Sequence, residues 1–416
     1  MTLAGRLATV VSVAIIAAAR SAPAQTNATW TDARVVARAL EHSPRVQTAW
    51  SAVATSIALR TFAHAPIIGN PSIGIRAMFG VPDRQAAIYG LFLGIPLDVS
   101  GRNGAWNRES RAAVEHAEAD LAVARNEARS AAREAYADVA MADEHVRVQL
   151  ARVANSRETL GRQTARFQAQ AATTLDIALA TRELAESEAD LAAARRERID
   201  AVGRFRELLD LAPNAAVAVE PLPPLAMPPG LSREAAVERA VRQRREAVSW
   251  QTTASRFRLS TDRLRAETVA PVVFGAEFEW QSYNQATVGA SLQWALPIVQ
   301  TGAPDRAFAT AQGVAAQAQS DLTARSIARE AGAAWDGLQA RLEELQHLRD
   351  EAVPSAERSL ALTEVLHGSG AVDYFRVLLA RRDVFALRSR LVQAQREAWR
   401  ARVALDRALG GEGVSR

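Results

Sequence analysis

The chain has no cysteine and no lysine among its 416 residues. The first absence excludes disulfide staples, thiolate metal sites and thiol redox chemistry. The second means that every basic side chain is an arginine. Aromatic residues are few, 6%, although 49% of the chain is apolar, and much of that is alanine. Such a composition favours helices in close contact over one bulky core. A net charge of +4 is small for this length, and Arg and Glu are interspersed. The charges therefore read as solvated helix faces, with no basic block and interleaved aromatics to mark a nucleic-acid footprint. The histidines, His42, His64, His116, His145, His347 and His367, are scattered, and none stands at metal-ligand spacing from another. Without a Gly-rich phosphate loop or a nucleophile elbow either, the sequence reads as neither an enzyme nor a cofactor carrier. Past the N-terminus no stretch approaches 18 continuous apolar residues, so a helical membrane anchor is not expected. If this chain enters a membrane, it must do so as strands.

What is present begins with "MTLAGRLATVVSVAIIAAARSAPAQ". Arg6 precedes an apolar run from Leu7 to Ala19, and Ala22-Pro23-Ala24 offers a small-x-small cleavage site. This is the pattern of a secretory signal over residues 1–24, cleaved near Ala24.

The rest of the chain matches itself at an offset of 200 or 201 residues. "WTDARVVARALEHSPRVQTAW" (Trp30 to Trp50) pairs with "LSREAAVERAVRQRREAVSW" (Leu231 to Trp250). Pro71 pairs with Pro271, Pro96 with Pro297, Gly101 with Gly302, Asp120 with Asp321, Ala180 with Ala380 and Leu209 with Leu409. A unit of this length is a duplicated fold rather than a solenoid repeat. The expected organisation is a first repeat at 25–211, a Pro-rich connector at 212–230 ("APNAAVAVEPLPPLAMPPG"), a second repeat at 231–411 and a tail at 412–416. Each repeat reads as helix, β-hairpin, very long helix, turn and return helix, so the fold class is mainly α with a small β part. The first long helix should start near Arg102 and run some 60 residues, about 90 Å at 1.5 Å per residue. The return helix of the second repeat carries a heptad, with Val377, Val384, Leu391, Ala398 and Leu405 in one row and Ala380, Leu387, Ala394, Ala401 and Ala408 in its companion. Such sustained heptads predict coiled-coil packing. The first repeat keeps the pattern but breaks it at Ser187 and Arg198.

Strands are expected at about 71–80, 87–97, 271–281 and 287–297. Ile73, Ile75, Ala77 and Phe79 alternate with Ser72, Gly74, Arg76 and Met78, and Leu91 and Leu93 continue the apolar side. Phe274, Phe278, Trp280, Leu292 and Trp294 do the same in the second hairpin, opposite Gly275, Glu277, Glu279 and Ser291. Segments of about ten residues with period-two alternation fit strands that cross a bilayer. The apolar side would then meet lipid, so Leu292→Arg should impair assembly more than Ser291→Arg. A soluble half-buried sheet shows the same alternation. Four strands cannot close a barrel, so spanning strands would require at least two chains, or three giving twelve strands, to share one.

The duplicated order, "IPLDVSGRNGAW" after the second strand, "NP" before the first and "RALGG" at the end resemble the TolC family of outer-membrane efflux proteins. "VAPVVFGAEF" and "IPLDVSGRNG" look most like its heavy-metal branch. The resemblance implies a homotrimer with a shared twelve-stranded β-barrel in the outer membrane and a long α-helical barrel in the periplasm. The connector would lie in an equatorial belt. Implied partners are a periplasmic adaptor (membrane fusion) protein and an inner-membrane transporter of the RND type, with no nucleic acid. The function implied is a passive exit duct of a tripartite pump. An exit duct for type I protein secretion shares the fold, and a secreted trimeric coiled-coil protein shares the heptads.

The family's tip signature places an aromatic and a Gly shortly before an Asp. "FQAQAATTLDIALAT" keeps Phe167 and Asp176 but has Gln170 for the Gly. "HGSGAVDYFRVLLAR" keeps Gly370, has His367 for the aromatic and Arg376 for the Asp, and carries Asp373 one turn earlier. The resemblance makes Asp176, Asp373, Arg376 and Tyr374 candidates for a periplasmic gate. Phe167, Gln170, His367, Gly370, Ala371 and Val372 become candidates for the tip turns that dock the adaptor. The plainer reading is that these acids only cap helix starts.

Overall fold

The computed structural model describes residues 29–62, 69–79, 87–281, 285–296 and 302–411. The expected signal at 1–24 and the tail at 412–416 lie outside them. The elements are α1 (Asp32–His42), α2 (Pro44–Phe62), β1 (Ser72–Phe79), β2 (Ala87–Leu97), α3 (Arg102–Gln168), α4 (Thr174–Leu208), α5 (Arg233–Gln243), α6 (Arg245–Thr268), β3 (Val272–Gln281), β4 (Gln285–Trp294), α7 (Ala303–His347), α8 (Val353–Gly368) and α9 (Tyr374–Ala408). The same order runs twice. At 67 residues, α3 is about 100 Å long.

Three elements differ from the sequence reading. The opening helix of each repeat is two helices. In the first, Pro44 has no N–H to donate and disfavours helical backbone at Ser43. In the second, Arg244 turns extended (ψ 128°), and its buried guanidinium is tied to Glu246 at 2.7 Å and Glu330 at 2.5 Å. The second long helix is not regular: Leu348–Ala352 form a π-helical segment between α7 and α8. Pro354 follows immediately, and its missing N–H accounts for the widened bonding before it. Finally, β4 runs from Gln285 to Trp294, so it begins and ends earlier than the expected 287–297 and leaves Leu296 beyond the strand.

The chain divides into two compact units. The first combines the residues up to Ala37 with Ala135–Pro224. In it α4 packs along the later part of α3, and the α3 side of the seam is polar. Asp138, Ala142, His145, Gln149, Arg152, Ser156, Thr159 and Gln163 recur at alternating intervals of four and three, and Asp138, Gln149, Ser156, Thr159 and Gln163 are buried. Their partners on α4 are ionic where the heptad breaks: Arg152 pairs with Glu183 at 2.9 Å and Asp190 at 2.5 Å, His145 meets Glu197 at 3.0 Å, and Arg198 reaches Asp143. Ser187, the other break, is fully buried and donates its hydroxyl to the Leu184 carbonyl at 2.8 Å.

At the end of this unit, Phe205 is wholly buried and meets the Trp30 ring edge-on, centroids 5.7 Å apart. Trp30 N–H donates to Ala218 O at 2.7 Å, and Glu220 N–H to Trp30 O at 3.0 Å. The Pro-rich connector is thereby tied down by a short parallel bridge rather than by a helix.

The second unit combines Arg38–Glu134 with the chain from Leu225 onward. Its helical seam is built on apolar clusters, with Arg381–Glu364 and Arg388–Glu357 pairing across it at 2.6 Å each. Leu338, Leu405 and Leu409 enclose Ala236; Leu345 and Leu348 pack on Ala394 and Ala398; Ile327 and Ala331 pack on Ala240 and Ala408. The heptad residues Val377, Val384, Ala394, Ala398, Leu405 and Ala408 are all buried. This unit also holds the sheet, four antiparallel strands in the order β1-β2-β3-β4, with β2 paired to β3 across the two repeats.

Candidate functional sites: one sheet face and two helix turns

The register fixes which side chains share a face. Ile75 lies opposite Leu91, Leu91 opposite Phe278, and Phe278 opposite Val288. Leu93 faces Ala276, which faces Ala290; Phe274 faces Leu292, Tyr89 faces Trp280, and Val272 faces Trp294. All seven candidates for the membrane face, Leu91, Leu93, Phe274, Phe278, Trp280, Leu292 and Trp294, therefore stand on one side of the sheet, and all are exposed. Large apolar side chains massed on one exposed face are what a lipid-facing wall requires.

The other face carries Ser72, Arg76, Glu277, Glu279, Thr287 and Ser291 among glycines. Arg76 and Glu279 approach to 4.0 Å across Gly90, where neither meets a Cβ. Phe92, which the alternation pattern passes over, lies on this polar face against Gly94 and Gly275. The contact with Gly275 is not visible in the sequence, because Gly275 belongs to the other repeat.

Asp98, within the "IPLDVSG" stretch, has a local role that the sequence reading did not assign. It follows β2, and its carboxylate accepts from Asn103 N at 2.9 Å, Arg102 N at 3.1 Å and both Ser100 N and Oγ at 3.2 Å. It thus caps α3 across Gly101, whose φ of +72° suits a residue without a side chain. Partial burial alone would push the carboxyl up, but these hydrogen bonds outweigh it and hold its pKa below the ordinary carboxylate value. A depressed folded-state pKa gives stability that is present above the unfolded value, near 4, and lost as pH falls through the folded one. Asp98→Ala should therefore cost about 1 kcal/mol at neutral pH, with the difference from wild type shrinking below about pH 4. Urea midpoints of the two proteins at neutral and acid pH check this. The second repeat has Val299 at the corresponding position, and Gly302 starts α7 with no side-chain cap.

The two tip turns are built alike, each within its own unit. Gln170 N–H donates to Phe167 O at 2.9 Å and Ala171 N–H to Arg166 O at 2.8 Å. In the second repeat Gly370 N–H donates to His367 O at 3.0 Å and Ala371 N–H to Leu366 O at 2.9 Å. Both are Schellman ends, which need a left-handed residue. Gly370 adopts φ +78° freely, whereas Gln170 is held at φ +58°. Gln170→Gly should leave stability unchanged or raise it by up to about 1 kcal/mol, while Gly370→Gln should cost about 1–2 kcal/mol. Thermal unfolding of both variants tests the pair, and equal shifts would contradict it.

After each turn a carboxylate caps the return helix, but from opposite positions. Thr173 is the N-cap of α4 and Asp176 completes a capping box, its Oδ2 accepting from Thr173 N and Oγ1 at 2.8 Å each. In α9 Asp373 itself is the N-cap, accepting from Arg376 N at 3.2 Å. The plainer sequence reading of Asp176 and Asp373 thus describes their local geometry. Phe167 is exposed on the last turn of α3, and Ala371 and Arg376 are exposed as well. Tyr374 is buried at the start of α9, its ring 6.2 Å from that of His367, which in turn meets the Val372 carbonyl through Nδ1 at 3.0 Å. The geometry therefore gives Tyr374 a packing role inside its turn.

Among the described residues no helix is long and apolar enough to cross a membrane, and no group of His, Asp and Glu is placed to hold a metal ion. The sequence model of the family described as "Outer membrane efflux protein" matches residues 35–210 and 233–411. The cobalt-zinc-cadmium resistance protein CzcC of Cupriavidus metallidurans is 25% identical over 337 residues, 76% of each chain. Among solved structures, the outer-membrane channel OprN superposes with a TM-score of 0.75 at 20% identity, covering 91% of this chain and 90% of its own. CusC gives 0.74 at 15%, covering 93% and 95%, and VceC of Vibrio cholerae gives 0.73 at 18%, covering 91% and 96%. These likenesses bear on the fold, while the family match spans both repeats. The chain belongs to the outer membrane efflux protein family: it is an efflux channel of the outer membrane, and not an enzyme.

Proposed function

We propose that this chain is the outer-membrane exit duct of a tripartite efflux system, working as a homotrimer. The observation that carries the proposal is the open four-stranded sheet with one exposed apolar face and one polar face. Strands in lipid must close. Three copies, each adding β1 to a neighbour's β4, would close a twelve-stranded barrel whose apolar face meets lipid and whose polar face lines the bore. The helices would continue on the periplasmic side and meet a periplasmic adaptor and an inner-membrane transporter of the RND type at the tip turns around Phe167–Ala171 and His367–Val372. The similarity to a cobalt-zinc-cadmium resistance protein makes divalent metal cations the first cargo to test. With no cysteine and only four methionines, this chain has few soft ligands, and selection of cargo falls to the pump.

The expected repeats at 25–211 and 231–411 form one protomer, with the connector at 212–230 in the belt. Asp176, Asp373 and Arg376 are proposed to surround the closed mouth. Each would occur three times about the axis, and a carboxylate ring favours cations. The test separates charge from capping. Asn caps as well as Asp, so Asp373→Asn should keep the helix start and the trimer yet weaken cation preference in single-channel recordings. Unchanged selectivity in Asp373→Asn and Asp176→Asn would reduce both acids to caps. Recovery of a trimer from the outer membrane, and loss of metal tolerance on gene deletion, test the duct itself.

A further inference from the structure

We infer that Phe92 sets the bore of the barrel, because it lies down on a floor of glycines that leaves its ring flat against the wall. This rests on the duct reading above, in which the face bearing Phe92 lines the channel. Three glycines surround one aromatic on that face: Gly74 on β1, Gly94 on β2 and Gly275 on β3. Gly74 lies directly across the β1–β2 pair from Phe92, and Gly275 lies across the β2–β3 pair from Gly94.

A Cβ built on Gly94 would stand 2.9 Å and 3.0 Å from the Phe92 ring and 2.7 Å from Ser72 Oγ. One built on Gly275 would collide with the Phe92 ring and with Ser291 Oγ, and one on Gly74 would reach the ring at 3.8 Å. Gly94 and Gly275 are themselves buried, although they belong to an open sheet face, and Phe92 is half-buried. The ring thus occupies the space that side chains at Gly94 and Gly275 would fill. Glycine weakens a strand, so its grouping around one ring needs a reason. Any larger residue at Gly94 or Gly275 would lift the ring off the wall, toward the axis. Gly289 lies at the same level on β4, across the β3–β4 pair from Glu277. In a trimer the ring recurs three times at one level, so its tilt determines the size of solute that passes. The alternative is that the ring only shields glycine backbone from water, the stabilising device known as aromatic rescue.

The natural absence of cysteine supplies a clean background for testing this on the full-length chain in the outer membrane of intact cells. Gly289→Cys places a thiol at the level of Phe92, and its rate of labelling from outside is read with N-ethylmaleimide and with a bulky polyethylene glycol maleimide. The small reagent should react at the same rate in all backgrounds. The bulky one should slow several-fold when Gly275→Ala or Gly94→Ala is added, quicken several-fold with Phe92→Ala alone, and recover its rate in the Gly275→Ala, Phe92→Ala double variant. If the glycine variants fail to assemble, Phe92→Ala alone still decides. Bulky-reagent rates that ignore Phe92 while the small reagent labels normally would overturn the proposal and leave the ring as wall support. Labelling of Val288→Cys but not Gly289→Cys by the small reagent would overturn the duct reading beneath it.

Discussion

Phe205→Ala is expected to destabilise the first unit by about 3–5 kcal/mol, the range for removing a fully buried phenylalanine. Phe205 has no solvent exposure, and it is the surface on which Trp30 rests. The edge-on contact contributes beyond area burial. Trp30 in turn exchanges two backbone hydrogen bonds with the connector and carries the Arg34 guanidinium 4.3 Å above its ring. Truncation leaves a void that this stack cannot collapse into, because the backbone bonds on either side of Val219 fix Trp30 in place. The loss should appear as a lower urea midpoint, as weaker near-ultraviolet dichroism from Trp30, and as faster proteolysis between Pro213 and Pro229. A loss under about 1 kcal/mol would mean that the site relaxes and that the connector is held by something else. The more conservative Phe205→Leu should cost less, since it keeps most of the volume.

Val288→Arg should cost about 2–4 kcal/mol in outer-membrane assembly, whereas Thr287→Arg, one residue away, should cost little. Val288 is 80% exposed on the apolar face, level with Phe278, Leu91 and Ile75 near the middle of the sheet. Thr287 lies opposite Glu279 on the polar face, so an arginine there gains a carboxylate across the pair. Leu292→Arg should fall between the two. Leu292 also points to the apolar side, but its partner is Phe274, two residues from the start of β3, where the cost of a charge falls off. The yield of heat-resistant oligomer from each variant gives the ranking. Equal yields from Val288→Arg and Thr287→Arg would mean that the two faces are exchanged or that neither meets lipid.

Much of this architecture was legible because local patterns and the long offset agreed. The hairpins stand out as alternating stretches without helix formers, and in the second heptad Val377, Val384, Ala394, Ala398, Leu405 and Ala408 are buried while Ala380, Leu387, Leu391 and Ala401 are partly so. Period two puts the membrane-side candidates of each strand on one side, and the pairing register joins those sides into one face. What escaped depends on contacts that a linear pattern does not hold. Phe92 breaks the alternation, and its significance comes from Gly275, which reaches it only through the β2–β3 pairing. The role of Asp98 depends on the left-handed turn at Gly101 that brings its oxygens to the amides of Arg102 and Asn103. Ser43-Pro44 and Pro354 were visible breakers, yet the pull of a simple repeated element hid them. At the tip, departures from the family signature are physically compensated. Gln170 accepts the strained conformation that Gly370 adopts freely, and the carboxylate moves from third position in α4 to the cap in α9.

The contrast between the two seams makes dissolved ions a partisan solvent for this duplicated chain. Around Arg152, Glu183 and Asp190 the first repeat is joined by charge; added salt screens the exposed Asp190 arm and reaches the buried Arg152–Glu183 pair far less. Around Leu338, Leu405 and Leu409 the second is joined by exclusion of water, which sulfate or phosphate reinforces. Salt would therefore act unequally along the chain, through the exposed Asp190 arm of the first seam more than through the water-excluding leucine contacts of the second.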